Sequence, residues 1–382
     1  MKSRYTYRLR PGASAERALW EEEGRNRWVW NEACAARKGG LPKFDDKALT
    51  AARREHDWLA AGVAGVQQQT LRDFHTAKHQ NRNFRVKGRS LPTLNFTRQL
   101  FALRPDGESG AVRLVVARGI VLPVVWSRDL PSPPSSVRVF LDRVGHWWAS
   151  FVVDVGHEAL PESGAAIGID WGVAAIATTT DSSYDLPHLH FGRKQAAKLA
   201  AAQRRIARRK PQPGQHGSKG YRQAKHQAAV AHQRVRDSRR DLAHKWAARV
   251  VANHGLIAVE DFRPRFLSQT RMAYAAADGA IGAIKATLIE FAKRDGRQVV
   301  IVPPAYTTMD CSVCGARAKT RLSLSQRTYC CSSCGATLGR DLNAARNTLA
   351  RALEQRPGFK PVGDDGSKSS SGAVRTAPGT AA

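Results

Sequence analysis

The chain changes its hydrophobic period several times, and each change marks an element. Residues 1–10 (MKSRYTYRLR) alternate polar and apolar positions and predict a strand, closed by a turn at Pro11-Gly12. From Ser14 to about Leu49 the period is helical, with Leu19, Trp20, Trp28 and Trp30 among charged residues, and a second helical run covers about 49–81. Between residues 84 and 155 short β-branched runs take over, at 112–117, 120–126, 137–141 and 147–153, broken by stretches such as Ser132-Pro133-Pro134-Ser135. They predict an antiparallel unit, a small barrel that the N-terminal strand could complete, with residues 14 to about 85 as a helical insertion.

A second domain opens with the apolar run Ala165-Ala166-Ile167-Gly168-Ile169-Asp170. In residues 193–249, Val235, Leu242, Trp246 and Val250 recur at helical spacing, so the span reads as a helical hairpin with one apolar stripe, bent at Pro211-Gln212-Pro213-Gly214. A strand (256–260), a helix (about 280–295), a strand (298–302) and, past a cysteine cluster, a helix (343–354) follow. From Pro357 the Gly/Ser/Pro-rich sequence predicts a disordered tail.

Charge adds what periodicity cannot. The 382 residues carry 61 Lys+Arg against 32 Asp+Glu, a formal charge of +29, which calls for a polyanion such as nucleic acid. The hairpin concentrates it, with 17 Lys/Arg and two acids between residues 193 and 249. Arg204, Arg205, Arg208 and Arg209 are the densest group, and helical spacing pairs Arg204 with Arg208 and Arg205 with Arg209 for backbone phosphates. Gln67, Gln68, Gln69 and Arg72, on a polar helical stretch, carry the side chains that reach base edges, although a solvated or buried polar face explains them as well. A membrane surface is the rival polyanion. No apolar run reaches spanning length and the N-terminus has no apolar signal core, so a cytoplasmic location is expected.

Five of the six cysteines fall within 24 residues. Cys311-x-x-Cys314, sixteen residues, then Cys331-x-x-Cys334 is the spacing of a tetrahedral structural zinc site. Cys331 keeps the C-x-x-C step and leaves Cys330 a spectator, while Cys34 sits alone in a helical stretch as a small core residue.

Three acidic residues complete the chemistry. Asp170 and Glu260 each end an apolar strand, and Asp341 precedes a helix seven residues after Cys334. A carboxylate at the end of a buried strand needs a cationic partner. Singly each reads as a strand-end acid or helix cap; together they can hold two Mg²⁺ ions about 4 Å apart for phosphodiester hydrolysis, an RNase H-like arrangement.

These motifs carry a resemblance. Gly168-Ile169-Asp170-Trp171-Gly172, Val259-Glu260-Asp261-Phe262 and Arg340-Asp341-Leu342-Asn343-Ala344-Ala345 resemble, in order, the RuvC motifs of the TnpB family, the RNA-guided nucleases of bacterial insertion sequences related to type V CRISPR effectors. The phrase from Tyr306 to Gly315 matches that family's "TS-x-x-C-x-x-CG", with weaker matches at Gly24–Asn31, Gln67–Asp73 and Arg240–Lys245. Trp171, Gly339 and Cys330 depart from its pattern without removing a carboxylate. The resemblance implies a multidomain α+β protein: a β-barrel wedge domain (1–13, 86–160) with a helical recognition insert (14–85), an RNase H-like RuvC nuclease domain (161–304, 338–356), a zinc-ribbon module for target strands (305–337) and the tail (357–382). It implies a guide RNA from the transposon end, target double-stranded DNA read beside a short flanking motif, and a nucleoid-associated setting in a bacterial cytoplasm. Two readings compete: a guide-dependent DNA-binding repressor that no longer cuts, which a broken triad would mark, and a tyrosine transposase, for which His188 and His190 supply an H-x-H in a poor context.

Overall fold

The computed structural model describes residues 2–77, 83–87, 90–106, 111–156, 160–212, 214–263, 267, 269–320, 322–323, 326–356 and 358–361; apart from 358–361, the expected tail lies outside the described residues. The chain divides into two compact units, Met1–Gly156 and His157–Arg375.

In the first unit β1 (Lys2–Leu9) leads into four helices, α1 (Ala13–Lys38), α2 (Asp46–Glu55), α3 (Asp57–Ala60) and α4 (Ala64–Thr76). Six strands follow: β2 (Thr93–Thr97), β3 (Phe101–Asp106), β4 (Ala111–Val116), β5 (Ile120–Val125), β6 (Ser136–Leu141) and β7 (Trp147–Asp154). The seven strands form one sheet in the order β2-β6-β7-β1-β5-β4-β3, all pairs antiparallel, with β1 between β7 and β5. Laid flat at about 4.8 Å per strand, its edges would lie about 29 Å apart. Yet β2 and β3, at opposite ends of the order, are joined by Arg98–Leu100 alone, a link that reaches at most about 14 Å. The sheet must therefore roll, and alternate residues of every strand, among them Tyr7, Phe96, Leu114, Leu122, Val139 and Phe151, meet in one core.

The helices bury a second core of Val29, Trp30, Cys34, Leu49, Leu59, Leu71 and Phe74. The two long helical runs expected from periodicity are broken into four pieces. Gly39, Gly40 (φ +65°) and Pro42 end α1, and Asp45 starts α2 by accepting from the amides of Lys47 and Ala48. Two residues of the weak N-terminal motifs, Asn31 and Asp73, make structural contacts. Asn31 exchanges two hydrogen bonds with the backbone of Arg85 (2.8 and 3.0 Å), and Asp73 accepts from Gln69 (2.9 Å) and Asn95.

The second unit holds β8 (Ala165–Trp171), β9 (Ala175–Thr179), β10 (Leu186–Pro187), α5 (Phe191–Arg208), α6 (Lys219–Asn253), β11 (Leu256–Glu260), α7 (Ala273–Gly279), α8 (Ile281–Arg294), β12 (Gln298–Val302), β13 (Thr328–Cys330), β14 (Thr337–Gly339), α9 (Arg340–Gln355) and β15 (Lys360–Pro361). The main sheet runs β10-β9-β8-β11-β12, antiparallel as far as β8 and parallel beyond it; β15 adds to β8 in parallel. Helices cover both faces, so β8 and β11 read as unbroken apolar runs. On one face Ile167, Ile169, Trp171, Ile257 and Val259 pack against Trp246, Val250, Ile284 and Leu288 of α6 and α8. On the other, Ala166, Leu256 and Ala258 pack against Leu349 and Ala352 of α9. Arg297 ends α6 by donating to the carbonyls of Val251 (2.9 Å) and Ala252 (3.4 Å).

Gly168 sets how closely α9 lies on the sheet. A Cβ there would stand 2.2 Å from the Ala345 carbonyl oxygen and 2.7 Å from Leu349 Cβ. We expect Gly168→Ala to cost about 1–3 kcal/mol or more by forcing backbone apart, read as a lower denaturant midpoint; an unchanged midpoint would show that α9 shifts freely.

Candidate functional site

Three structural rules bring the acidic residues together. Successive strand residues alternate faces, so Asp170 shares the α9 face with Ala166 and Gly168, and Glu260 shares it with Leu256 and Ala258. The parallel register pairs Leu256 with Ala166 through to Val259 with Ile169; one step further stand Glu260 and Asp170, side by side at the strand ends. The first turn of α9 then brings Asp341, where a negative charge also suits the helix dipole.

The electrostatics follow from this proximity and from burial. Asp170 is 7% exposed, and burial, then the charges of Glu260 and Asp341, push its carboxyl well above the usual range. Glu260, also 7% exposed, is pushed up by burial, against a hydrogen bond from Thr307 and the charge of Lys285. Thr307 Oγ1 donates to Glu260 Oε1 at 2.9 Å, and Lys285 Nζ donates to the Glu260 carbonyl at 2.7 Å. Asp341 is more open and has Arg327 at 3.7 Å. Two buried acids with a third nearby are a donor set of hard oxygens that fits a divalent cation.

The cysteines form a second centre. The sulfurs of Cys311, Cys314, Cys331 and Cys334 all lie within 4.8 Å of one another, with Cys311–Cys334 at 3.8 Å and Cys314–Cys331 at 3.6 Å. A tetrahedron of sulfurs about 2.3 Å from zinc has edges of about 3.8 Å, so the set fits that ion. Both halves read C-S-x-C-G-A, at 311–316 and 331–336, and both fold alike: the first Cys amide donates to the Ala carbonyl, and Gly315 (φ +75°) and Gly335 (φ +73°) close the turns. Cys330 stands outside, its sulfur 3.8 Å from the Thr337 hydroxyl. Amides of Cys334 and Ser333 bring the Cys331 thiol down to about 6. Cys314 is pushed up to about 12 by the neighbouring thiols, against the Ala316 amide. Four sulfurs this close share negative charge poorly until a cation joins them.

The two centres are joined through α9. Asn343 donates to the Asp310 carbonyl (2.8 Å) and accepts from the Ser312 amide (2.9 Å). Asn347 donates to the carbonyls of Thr307 (2.8 Å) and Asp310 (2.6 Å), and Arg351 reaches Asp310 Oδ2 (2.9 Å). Thr307, Asn343 and Asn347 were not singled out by the sequence reading. The signal was available, since all three are polar residues inside or beside the motifs quoted above.

Other expected contacts fare differently. Gln67 is buried: its amide donates to the Leu59 carbonyl (2.9 Å) and accepts from Arg53, leaving no free edge for a base. For Gln67 this favours the alternative reading of a buried polar face, because a glutamine that closes a helix junction does not face solvent. Gln68 and Gln69 are half-buried, Gln69 bound to Asp73, and Arg72 is exposed. Arg204, Arg208 and Arg209 are exposed on or just past α5, and Arg205 is half-buried. His188, His190 and Asp278 form a second close cluster, but both His188 nitrogens are used, Nε2 with the Ala275 carbonyl (3.0 Å) and Nδ1 with the His190 amide (3.1 Å). Asp278 meanwhile accepts from the Gly192 amide (2.7 Å) and pairs with Arg239, fixing the start of α5. The H-x-H is thus a structural clamp.

Comparison with known proteins agrees with this picture. Residues 150–269 match the family described as "Probable transposase" (OrfB_IS605), and residues 282–348 match "Cas12f1-like, TNB domain". A protein of Streptomyces pristinaespiralis named as an RNA-guided DNA endonuclease is 29% identical over 297 residues, 75% of this chain and 71% of that protein. InsQ of Escherichia coli K12, named likewise, is 28% identical over 383 residues, 91% of each chain. The solved Cas12f1-sgRNA-target DNA complex superposes at a TM-score of 0.49 and 12% identity over 91% of this chain and 98% of that one, too loosely to place residues. The two family matches meet in one chain in the order set by its motifs, and the expected resemblance to the TnpB family is borne out by them and by both named relatives.

Proposed function

We propose that the chain is an RNA-guided DNA endonuclease of an insertion sequence, hydrolysing DNA phosphodiesters at Asp170, Glu260 and Asp341 beside a short flanking motif. The observation that carries this is the convergence of the three carboxylates at one end of the mixed sheet, on the α9 face. The two named relatives support the guide RNA and the DNA target. The RuvC-type, RNase H-like reading of the second unit is supported by the same sheet, whose antiparallel and parallel halves meet at β8. The rolled sheet of the first unit supports a barrel wedge with a helical insert.

Burial raises the pKa of both Asp170 and Glu260, and a bound cation would favour their ionised, ligating forms. Thr307 fixes which oxygen of Glu260 stays turned to the protein, and Lys285 fixes the strand end behind it. Two Mg²⁺ ions bound there would supply an acidified water and charge at the leaving oxygen. The cysteine tetrad would hold one structural Zn²⁺. The exposed cations of α5 and α6 would hold nucleic-acid backbone without reading bases, with Gln68, Gln69 and Arg72 left as candidate readers. Among the described residues no helix is long and apolar enough to cross a membrane; a cytoplasmic, nucleoid-associated setting follows from the proposed substrate. A silent repressor is not favoured, because all three carboxylates stand in place.

The test is to sequence the RNA that co-purifies with the chain and to supply a matching DNA target with a randomised flank. Wild type should cut, and alanine at 170, 260 or 341 should each lower the rate while guide-dependent binding persists. Loss of an outer partner of a metal ligand costs about 10–100-fold, so loss of a ligand should cost at least that. Near-normal cutting by any single variant would remove that residue from the centre.

Elemental analysis should find one zinc per chain. Serine at 311, 314, 331 or 334 should abolish that zinc and unfold the module, since metal binding supplies much of a small module's folding energy. Cys330→Ser should retain both zinc and fold; a zinc-free wild type would end the assignment.

The raised pKa of Asp170 gives a stability signature. Its folded value lies above the roughly 3.9 of an unfolded Asp, so between the two the native state binds more protons and stability falls as pH rises through that window. In magnesium-free, zinc-replete buffer, Asp170→Asn should match the parent near about pH 4 and become progressively more stable than it above that. Urea midpoints across pH would show this; a gap that shrank with pH would contradict the electrostatics.

A further inference from the structure

We infer that Tyr306, backed by Arg317, is a stacking platform for an unpaired base of single-stranded nucleic acid beside the carboxylate centre. The position of the platform rests on the nuclease reading, but its chemistry does not. Tyr306 adopts φ +64°, a conformation that glycine or asparagine takes readily and a bulky side chain does not. Its carbonyl accepts from the amides of Met309 (3.0 Å) and Asp310 (2.9 Å), which holds the turn whatever the side chain is. The ring does not serve the core either, as the residue is 50% exposed. Neither backbone nor packing therefore accounts for a tyrosine here.

One face of the ring is already occupied. The Arg317 guanidinium lies 3.8 Å from the ring centroid. It is held there by two hydrogen bonds to Asp310 (2.6 and 3.1 Å), and Asp310 in turn accepts from Arg351 of α9. The ring is thus mounted on the helix that carries Asp341. The next residue, Thr307, bonds Glu260. An exposed aromatic face beside fixed positive charge is what single-strand binders present to a base and its phosphate. The occupant should be a polyanion because the chain carries +29, which repels a cationic partner.

The experiment uses the full, zinc-loaded chain and a short single-stranded DNA containing one 5-iododeoxyuridine, a base that photocrosslinks to a stacked aromatic ring. Crosslinked peptides are mapped by mass spectrometry. Tyr306 should be a crosslinked site. Tyr306→Leu should lose that crosslink and lower the crosslinking yield roughly tenfold, whereas Tyr306→Phe should keep it at the same position, with zinc content equal to the parent in both. Crosslinks confined to other peptides, or a Leu variant that crosslinks like the parent, would overturn the platform. Asp170→Ala should crosslink normally. A chain that crosslinks at Tyr306 but does not cut guided targets would sink the nuclease reading and leave the platform; one that cuts without crosslinking there would do the reverse.

Discussion

Two carboxylates set side by side at the end of a buried sheet repel one another, and the second unit is arranged around that cost. Neighbouring strands stand about 4.8 Å apart, and unit charges at about 4 Å repel by roughly 4 kcal/mol even at an effective dielectric of 20. Protons or cations must relieve the strain, which is why burial and mutual charge raise Asp170 so far. The juxtaposition exists only because β8 and β11 run parallel, with both C-terminal ends at the same edge. Parallel neighbours require a long crossover. Here the crossover contains the basic α5–α6 hairpin, so the element richest in positive charge is also the one that lets two negative charges meet.

Helix α9 closes the arrangement on the face that carries both carboxylates, opposite α6 and α8. It reaches the sheet because Gly168 has no side chain, and it brings Asp341 in its first turn. The cysteine module lies between β12 and α9 and is bounded at both ends by the centre: Thr307 touches Glu260 on the way in, and Arg340-Asp341 follow β14 on the way out. Asn343, Asn347 and Arg351 tie the module's backbone to the helix. Metal bound by the cysteines would therefore stabilise the segment that sets the position of Asp341, so the two centres are mechanically one.

Much of this was legible in the sequence because it rests on period and spacing. Apolar runs ending in Asp170 and Glu260 predict buried strands and are buried strands, and the C-x-x-C steps predict the sulfur cluster that the structure shows. The repeated C-S-x-C-G-A resolves the choice between Cys330 and Cys331 without coordinates. Other features could not be read locally. β2 and β3 lack a long β-branched run, and pairing with distant partners makes them strands. The helical reading of 14–49 ran past Gly39-Gly40, where α1 ends, and α7 is too short to show a period. Gln67 kept two readings open because a polar helix face looks the same in sequence whether water or the Leu59 carbonyl receives its amide.

The opposed charges in one unit answer two different problems. Carboxylates proposed to bind cations would also repel the phosphates they act on. Exposed arginines on the hairpin cannot cancel that repulsion at the site itself, because screening limits exposed charges to about 8 Å at physiological salt, and α6 packs on the sheet face opposite the carboxylates. What they can do is hold a polymer long enough to reach both places. Local neutralisation would be left to ions at the proposed centre, aided by the nearby Arg340 and Arg327. A small anionic substrate would gain little from such a division. A nucleic acid, whose charge is spread along its length, gains from both, which is why this distribution argues for a polymeric substrate independently of any sequence match.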